Sequence, residues 1–308
     1  MPRLLATQSH VVHGYVGNKA ATFPLQCKGW DVDCINSVQF SNHTGYGMDK
    51  VFGTATSAAE LESVFTGLKE FEDYDAMLSG YLPNRESVAC MAKNHADLKR
   101  RDPSLTWLLD PVMGDDEELY VDENVIPEYK SLVASSLVDV ITPNQFELEI
   151  LYGRKIKSVR ELQDALKTLH QTVPVIVVTS CSSGLFGNSD HLYCVASMRG
   201  QPASIYKIPV IDSYFTGVGD LFSALLIDYI HHKCNDSNTM DCLDINGVLA
   251  TVHQVLAVTL EHSPKCVKAS MGSPLTMKQM ELRIIESKKW FTGKTPNENF
   301  YHGQLDLV

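Results

Sequence analysis

The sequence has few of the features that mark secreted, membrane-spanning and metal-ribbon proteins. Eight cysteines are spread along 308 residues, and no two of them form a C-x-x-C pair, which excludes a zinc ribbon and a thioredoxin-type redox motif. No segment approaches the roughly 20 consecutive apolar residues of a transmembrane helix, and the apolar stretch of MPRLLATQSH is too short for a signal peptide. These absences predict a cytoplasmic protein with reduced cysteines, with access to the nucleus left open.

Positive charge is scarce. The chain has 26 Lys and Arg against 37 Asp and Glu, a formal net charge of -11. This balance predicts that neither nucleic acid nor an anionic membrane is the main partner. A single local site can still hold a small anionic ligand. Hydrophobic residues make up 44% of the chain, which is enough to bury a sizeable core.

The chain also lacks an internal repeat and a linker rich in Pro, Gly or Ser. Nearly all-apolar runs such as WLLD, VDVIT and VIVVT alternate with amphipathic runs, the pattern of a parallel sheet covered by helices on both faces. We predict a single α/β domain over residues 1–308, a three-layer α/β/α sandwich with a largely parallel central sheet. A surface-lying or loose tail is expected from about residue 292.

The predicted elements follow from the apolar periodicity. The strands are expected at 3–8, 31–40, 75–80, 105–110, 138–142, 174–180, 191–198 and 203–210. The helices are expected at 18–28, 57–71, 85–101, 125–136, 145–152, 158–171, 220–232, 243–262 and 276–291.

Polar residues and glycines follow six of the predicted strands, where ligands bind in open α/β sheets. Turn chemistry explains any one such segment, but it does not explain why all six would converge on one edge of the sheet. The segments are Gln8–Asn18, Ser41–Tyr46, Gly80–Tyr81, Asp110–Asp115, Thr142–Glu147 and Thr179–Ser180.

The common phosphate-binding motifs are missing. Gly293-Lys294-Thr295 resembles the end of a P-loop, but position 288 is Lys where that motif needs Gly. The segment 45–50 lacks the third glycine of a dinucleotide fingerprint. Neither segment therefore predicts a nucleotide site.

The segment FTGVGDLFSALL at 215–226 offers another route to an anion site. Gly217 and Gly219 allow a tight turn whose N–H groups point outward, and the predicted helix 220–232 adds the positive end of its dipole. Asp220 would then lie beside a bound phosphate, placed to accept a proton from an attacking hydroxyl. The alternative is that Asp220 only caps the helix, and the segment alone leaves both interpretations open.

Several longer motifs carry a family resemblance. They are SHVVHGYVGN at 9–18, NSVQFSNHTGY at 36–46, LDPVMGD at 109–115, ITPNQFELEIL at 141–151, TGVGDLFSALL at 216–226 and ELRIIESK at 281–288. With these motifs the chain resembles the pyridoxal kinases of the ribokinase-like superfamily, and most of all the eukaryotic, fungal-type members. The similarity runs from the first strand to about residue 290.

The resemblance implies ATP-dependent phosphorylation of the 5′-hydroxyl of pyridoxal, pyridoxine and pyridoxamine, with Asp220 as general base. For the vitamin, it implies that Ser9 bonds the pyridine nitrogen and Thr44 the 3-hydroxyl. Val16 and Tyr81 would form walls around the ring, with His43 nearby. A homodimer is implied in the same way.

The resemblance also implies a nucleotide and cation set. Asp110 and Glu147 would serve Mg²⁺ and the phosphates, directly or through water. Thr142 and Thr179 would contact phosphates or a bound K⁺ or other monovalent cation. The remaining implied ATP contacts are Tyr120, Asn144, Ser180, Gly217, Val218 and Gly219.

The chain departs from the family pattern at two places. Val218 stands where many members carry Thr, so the anion site must work through backbone N–H groups without a hydroxyl. The loop DDEELY at 115–120 is short and strongly acidic. This loop carries Tyr120 and sets how that residue can approach ATP.

Two other functions stay open on the sequence. The first is a ribokinase-like kinase for hydroxymethylpyrimidine or a sugar, against which Ser9 and the 41–46 motif argue. The second is a non-catalytic, vitamin-binding or regulatory protein, against which the presence of Asp220 with both glycines argues.

Overall fold

A computed structural model describes residues 1–71, 73–187, 190–237, 243–264 and 268–307. The strands are β1 (Arg3–Val11), β2 (Asp31–Phe40), β3 (Gly53–Ala55), β4 (Ala76–Ser79), β5 (Thr106–Leu109), β6 (Gly114–Asp115), β7 (Glu118–Leu119), β8 (Val140–Ile141), β9 (Val175–Cys181), β10 (His191–Met198), β11 (Ala203–Pro209) and β12 (Tyr301–Leu305). The helices are α1 (Asn18–Cys27), α2 (Ala58–Leu68), α3 (Arg85–Arg101), α4 (Ile126–Ala134), α5 (Gln145–Tyr152), α6 (Val159–Leu169), α7 (Val218–Ser237), α8 (Asn246–Glu261), α9 (Pro274–Gln279) and α10 (Lys288–Thr292).

Ten of these strands form one sheet in the order β12-β11-β10-β9-β8-β5-β4-β1-β2-β3. The six strands from β9 to β2 are paired in parallel, and antiparallel strands extend the sheet at both sides. The chain leaves β1 for β2 on one side and later for β4 on the other. This reversal places a ligand crevice at the carboxyl ends of β1 and β4.

Helices cover both faces of the sheet and confirm the predicted three-layer architecture. Helices α2 to α6 pack on one face, where apolar residues at helical spacing are buried; in α6 these are Leu162, Ala165, Leu166 and Leu169. Helices α1, α7, α8 and α10 pack on the other face, around Leu25, Leu221, Leu225, Val248 and Phe291. No helix among the described residues is both long and apolar enough to cross a membrane.

The prediction of the last helix was wrong. The single helix expected at 276–291 is two short helices, α9 and α10, joined by a non-helical segment at 280–287. Leu282 and Ile284 are both fully buried there. The expected surface-lying or loose tail contains β12, which pairs antiparallel with β11 at the edge of the sheet and is mostly exposed.

Two boundary shifts matter for the site. Strand β1 continues to Val11 instead of ending at 8, and its pairing with β2 shifts register between Gln8 and His10. Ser9 therefore lies at a bulge inside the strand, a device that redirects a side chain. Helix α7 begins at Val218, not at 220, which puts Asp220 in the first helical turn.

Candidate active site

The Gly217–Gly219 turn packs tightly against the loop that follows β1. Gly217 has a φ of +85°, and a Cβ atom there would lie 2.0 Å from the Tyr15 carbonyl oxygen and 3.3 Å from the Val16 Cα. A side chain at this position would meet backbone on the other side. Because Gly217 has no side chain, the N-terminus of α7 can reach the loop that carries Val16.

Asp220 lies at the centre of this junction. The Leu221 N–H donates to the Gly217 carbonyl at 3.0 Å and closes the first turn, so Asp220 is not the residue that caps α7. Burial raises the pKa of the Asp220 carboxyl, while a hydrogen bond from the Gly17 N–H and the nearby His43 oppose that rise. Part of Asp220 stays accessible to solvent. The geometry therefore leaves a carboxylate at a helix N-terminus with room for a ligand.

The predicted vitamin contacts from β1 converge on the same point. A Cβ atom on Gly17 would lie 2.3 Å from the Ser9 Oγ, and Gly17 also donates to Asp220. Val16, 7% exposed, lies between this glycine and Tyr15. The structure thus brings Ser9, Val16 and Asp220 together, although they lie up to 211 residues apart in the chain.

The other predicted vitamin contacts come from β2 and β4. His43 is buried and precedes a 3-10 turn at Thr44–Tyr46, so it adjoins Thr44 in the chain. Tyr81 follows β4, where its carbonyl accepts a 2.6 Å hydrogen bond from the Ser37 hydroxyl. Burial raises the pKa of the Tyr81 phenol, which keeps it protonated and suited to line a pocket.

Acidic residues that follow β5 and belong to α5 lie near the first turn of α7, where the Asp110 Oδ2 is 3.8 Å from the Cβ point of Gly219. Burial, Glu147 and Asp220 together raise the pKa of Asp110 well above its usual value. The Ser223 hydroxyl donates to the Asp110 Oδ2 at 3.2 Å and lies 3.0 Å from the Thr142 Oγ1. Ser223 was not predicted, although it lies three residues after Asp220, the spacing that places two side chains on one helix face.

Glu147 and Asn144 also have a local structural role. The Asn144 side chain accepts the Glu147 N–H at 2.8 Å, and the Glu147 Oε2 accepts the Asn144 N–H at 2.9 Å, which forms a capping box on α5. The Glu147 Oε1 accepts the Met113 N–H at 2.9 Å. Despite these bonds, burial raises the pKa of Glu147 to about 8. Asn144 thus has a local turn and capping role, and its amide also bonds the Gly114 carbonyl; its contact with ATP stays a prediction.

The acidic loop at 115–120 forms a short hairpin. Strands β6 and β7 pair antiparallel, and Asp116 and Glu117 between them have φ of +48° and +67°. That is the backbone sign of a type I′ turn, which glycine usually supplies. Tyr120 follows the hairpin, is 46% exposed and shares a hydrogen bond with Tyr214. The contact between these two tyrosines was not visible in the sequence.

Thr179 and Ser180 lie inside β9, both partly exposed. The Thr179 N–H donates to the Pro143 carbonyl at 2.9 Å, and the Thr179 Oγ1 lies 3.5 Å from the same oxygen. The end of β9 therefore adjoins the turn that carries Thr142 and Asn144.

The residues present suit a cation that is shared with phosphates. No group of three or more His, Cys, Asp and Glu close enough to hold a metal occurs in the part of the chain that the structure describes. Mg²⁺ commonly takes only one or two carboxylates and completes its shell with phosphates and water. Asp110 and Glu147, whose charges oppose each other, fit that arrangement because a cation would relieve the repulsion.

Comparisons with known proteins agree with this geometry. A family model described as phosphomethylpyrimidine kinase matches residues 24–238. The Saccharomyces cerevisiae protein named "Putative pyridoxal kinase BUD16" is 60% identical over 94% of both chains, and the pyridoxal kinase of Ovis aries is 38% identical over 93% of this chain and 94% of its own. The pyridoxal kinase of Leishmania donovani, solved with ADP and pyridoxamine, superposes with a TM-score of 0.82 at 32% identity, covering 99% of this chain and 98% of that chain.

The fold and the site thus define a small-molecule kinase of the ribokinase-like class. The chain belongs to the phosphomethylpyrimidine kinase family and, within it, to the pyridoxal kinases.

Proposed function

We propose that this protein transfers the γ-phosphoryl group of ATP to the 5′-hydroxyl of pyridoxal, pyridoxine and pyridoxamine. The observation that carries the proposal is the position of Asp220, in the first turn of α7 beside Gly17, Ser9 and the Gly217–Gly219 turn. The proposed base, the proposed anion site and Ser9 of the proposed vitamin pocket therefore lie close together, which supports the proposal. The related Leishmania donovani enzyme was solved with ADP and a vitamin B6 form, which supports the same pair of ligands here.

In this mechanism Asp220 accepts the proton of the 5′-hydroxyl as its oxygen attacks the γ-phosphorus. The raised pKa of Asp220 makes it a better base than an exposed aspartate, because base strength follows pKa. The backbone N–H groups of the Gly217–Gly219 turn stabilise the negative charge on the transferring phosphoryl group. Phosphoryl transfer needs little beyond this alignment and charge neutralisation.

We further propose that Mg²⁺ binds with ATP through Asp110 and Glu147, and that it neutralises phosphate charge when bound. Asp110 is the better candidate for direct contact, since both Glu147 oxygens already accept backbone N–H groups. Glu147 would then act through water.

A monovalent cation is proposed beside the turn at 142–144. Its candidate ligands are oxygens of the Pro143 carbonyl and the Thr179 hydroxyl, which lie 3.5 Å apart. Thr142 is less available because its hydroxyl bonds Ser223. Coupled kinase assays with and without K⁺ test this site, and a rate that is independent of every monovalent cation would contradict it.

Replacement of Asp220 tests the central role. We expect Asp220→Ala and Asp220→Asn each to lower kcat by roughly 10² or more, because general-base catalysis contributes about that factor. Calorimetry should still detect pyridoxal binding to both variants. Near-normal turnover in either variant would refute the assignment of Asp220 as the base.

A substrate panel separates this proposal from its relatives. Hydroxymethylpyrimidine belongs in the panel because the matching family model is described as a phosphomethylpyrimidine kinase. Turnover of the pyrimidine or of a sugar without turnover of any B6 form would replace the proposed substrate. Binding of pyridoxal without any ATP turnover would instead support a non-catalytic role.

We also propose that residues 1–308 act as one domain, as a cytoplasmic homodimer. One continuous sheet joins β12 near the C-terminus to β1 near the N-terminus, which supports a single unit. Sedimentation equilibrium measures the subunit count, and fractionation of cells measures the location. A monomer at micromolar concentration would contradict the dimer.

A further inference from the structure

A buried carboxylate outside the predicted site holds two of its loops together. Glu281, 9% exposed, lies in the non-helical segment between α9 and α10. Its Oε1 accepts hydrogen bonds from the His43 Nε2 at 2.8 Å and the Tyr46 hydroxyl at 2.7 Å. Its Oε2 accepts the Tyr15 N–H at 3.0 Å. One carboxylate thus joins the loop that carries Val16 to the turn that carries Thr44.

The approach of Glu281 depends on a glycine. A Cβ atom on Gly14 would lie 2.6 Å from the Glu281 Oε1, so the carboxylate fits only because Gly14 has no side chain. Burial opposes ionisation of Glu281, but the bonds from His43, Tyr46 and Tyr15 hold its pKa below the ordinary value. Glu281 is therefore a charged acceptor at neutral pH.

A charged acceptor at this place determines where the protons lie. A carboxylate has no proton to give, so the Nε2 of His43 must carry one, and in the neutral ring the Nδ1 is then a bare acceptor. Likewise the Tyr46 hydroxyl gives its proton to Glu281, so the His13 Nε2, 3.1 Å from the Tyr46 oxygen, is the donor in that pair. Glu281 thus selects one tautomer of His43.

The free nitrogen of His43 faces a second polar atom. Both the His43 Nδ1 and the Thr216 Oγ1 are buried without a hydrogen-bond partner in the described part of the chain. Each lies 2.9 Å from the point that a Cβ atom on Gly45 would occupy. An acceptor and a hydroxyl donor therefore lie close together beside Gly45, and each lacks a hydrogen-bond partner among the described residues.

The chemistry of the proposed substrate indicates which group bonds these two atoms. If Thr44 bonds the 3-hydroxyl and Asp220 takes the proton of the 5′-hydroxyl, the substituent between them on the ring is the one at carbon 4. His43 precedes Thr44 in the chain, and its Nδ1 lies close to Thr216, four residues before Asp220, so His43 lies near both. The group at carbon 4 is also the one that differs among the three vitamers.

We propose that Glu281 is a positioning residue that sets vitamer preference, because it holds His43 as an acceptor toward the substituent at carbon 4. This inference rests on the proposed function. Pyridoxine offers a hydroxyl proton there and pyridoxamine an ammonium proton, so both can bond the His43 Nδ1. The aldehyde of pyridoxal has no proton to donate and accepts from the Thr216 hydroxyl instead.

Glu281→Gln tests the inference. The amide can present N–H to His43 and so permit the opposite tautomer, whose Nδ1 is a donor. At about pH 8, where an ordinary imidazole is neutral, we expect kcat/KM for pyridoxine and pyridoxamine to fall roughly tenfold relative to pyridoxal, the size of one hydrogen bond. Most of the loss should appear in KM. The matched control is Glu286→Gln, five residues along and partly exposed, which should leave the ratio unchanged.

Thr216→Val and ¹⁵N spectra of the histidines test the same inference if Glu281→Gln does not fold. Thr216→Val removes the hydroxyl donor and should shift preference the other way, against pyridoxal. In the wild-type protein, ¹⁵N spectra of labelled histidine should show His43 protonated at Nε2 and bare at Nδ1, with assignment by comparison with His43→Gln. A proton on the Nδ1 at pH 8 would overturn the inference.

The outcomes separate this inference from the proposed function. If wild-type protein phosphorylates no vitamer, the proposed function fails. If all three vitamers are phosphorylated and Glu281→Gln lowers them equally, Glu281 is only a structural brace and this inference alone fails.

Discussion

Glu281 and Glu147 are both buried carboxylates at the site, and each accepts three hydrogen bonds, yet their pKa values move in opposite directions. Bonds from His43, Tyr46 and Tyr15 hold the pKa of Glu281 below its ordinary value. Burial raises that of Glu147 to about 8, with Asp115 adding to the rise. Hydrogen bonds alone therefore do not settle the charge of a buried carboxylate. Depth of burial and the sign of neighbouring charges decide it.

The two proposed halves of the site differ in the same way, in the charge state of their carboxylates. The proposed vitamin half, which comprises Ser9, Val16, His43, Thr44 and Tyr81, lies against an ionised carboxylate, that of Glu281, whose hydrogen bonds are already made. The nucleotide half, which holds Asp110 and Glu147, has carboxylates that repel each other. The vitamin half is thus formed before its ligand arrives, whereas the nucleotide half requires a cation for charge balance.

Gly217 joins the two halves, and its replacement should have the largest effect. Gly217→Ala would force a side chain into left-handed backbone, at about 1–2 kcal/mol, and against the Tyr15 carbonyl at 2.0 Å. We expect a lower melting temperature and a loss of turnover by roughly 10² or more. Calorimetry and a coupled kinase assay measure the two.

The matched control is Gly219→Ala. The nearest neighbour of its Cβ would be the Asp110 Oδ2 at 3.8 Å, which is ordinary contact, so the melting temperature should hardly change. Equal tolerance of both alanines would show that the halves do not depend on this close approach.

Asp110→Asn tests whether the nucleotide half needs a cation. The change removes one of the repelling charges and a candidate Mg²⁺ ligand, so the Mg²⁺ concentration for half-maximal rate should rise by about tenfold or more. Titration of Mg²⁺ at saturating pyridoxal and ATP measures it. Asp116→Asn, in the exposed turn of the hairpin, should leave the Mg²⁺ requirement within about twofold.

The pH dependence of stability should separate Glu147 from Glu281. Because the folded pKa of Glu147 is raised to about 8, its contribution is full below its unfolded value near 4.5 and is lost as pH rises through about 8. The melting temperature of Glu147→Gln minus that of wild type should therefore increase by a few degrees from pH 5 to 8 without Mg²⁺ and nucleotide.

The contribution of Glu281 to stability depends on pH in the opposite sense. Its folded pKa is lowered, so its contribution is present above the unfolded value and is lost only as pH falls through the folded value. The corresponding difference for Glu281→Gln should stay level between pH 5 and 8. Parallel curves for the two variants would contradict the contrast between the two carboxylates.

Val218→Thr should have the smallest effect. It restores the hydroxyl that many family members carry between the glycines. If backbone N–H groups suffice for the anion site, the KM for ATP should change by less than about threefold. An improvement of tenfold would show instead that the nucleotide half lacks a needed side-chain donor.

Much of the fold could be predicted from local patterns, because apolar periodicity reports burial directly. The runs around Trp107, Val140 and Val177 predicted the parallel strands, and the 162–169 spacing predicted α6. The helix prediction at 276–291 failed because the chain leaves the helix after Gln279 and buries Leu282 and Ile284, which no local spacing shows.

The candidate site likewise contains residues that local patterns could identify and one whose role they could not. The turn from Gly217 to Asp220 was recognisable because its residues are adjacent in the chain. Ser223 could have been identified from the helical spacing, because it lies three residues after Asp220. Glu281 was part of a quoted motif, but no role could be assigned to it, since its partners His43 and Tyr15 lie more than 230 residues away.

The amino-acid sequence by itself determined the alternation of strands and helices, the glycine turn before α7 and the chemical types available at the strand ends, because each depends on neighbours in the chain. Only the tertiary structure decided which of those groups meet. It placed Ser9 at a bulge, opposed Asp110 to Glu147, and brought Glu281 against His43, because burial and charge act through space and not along the chain.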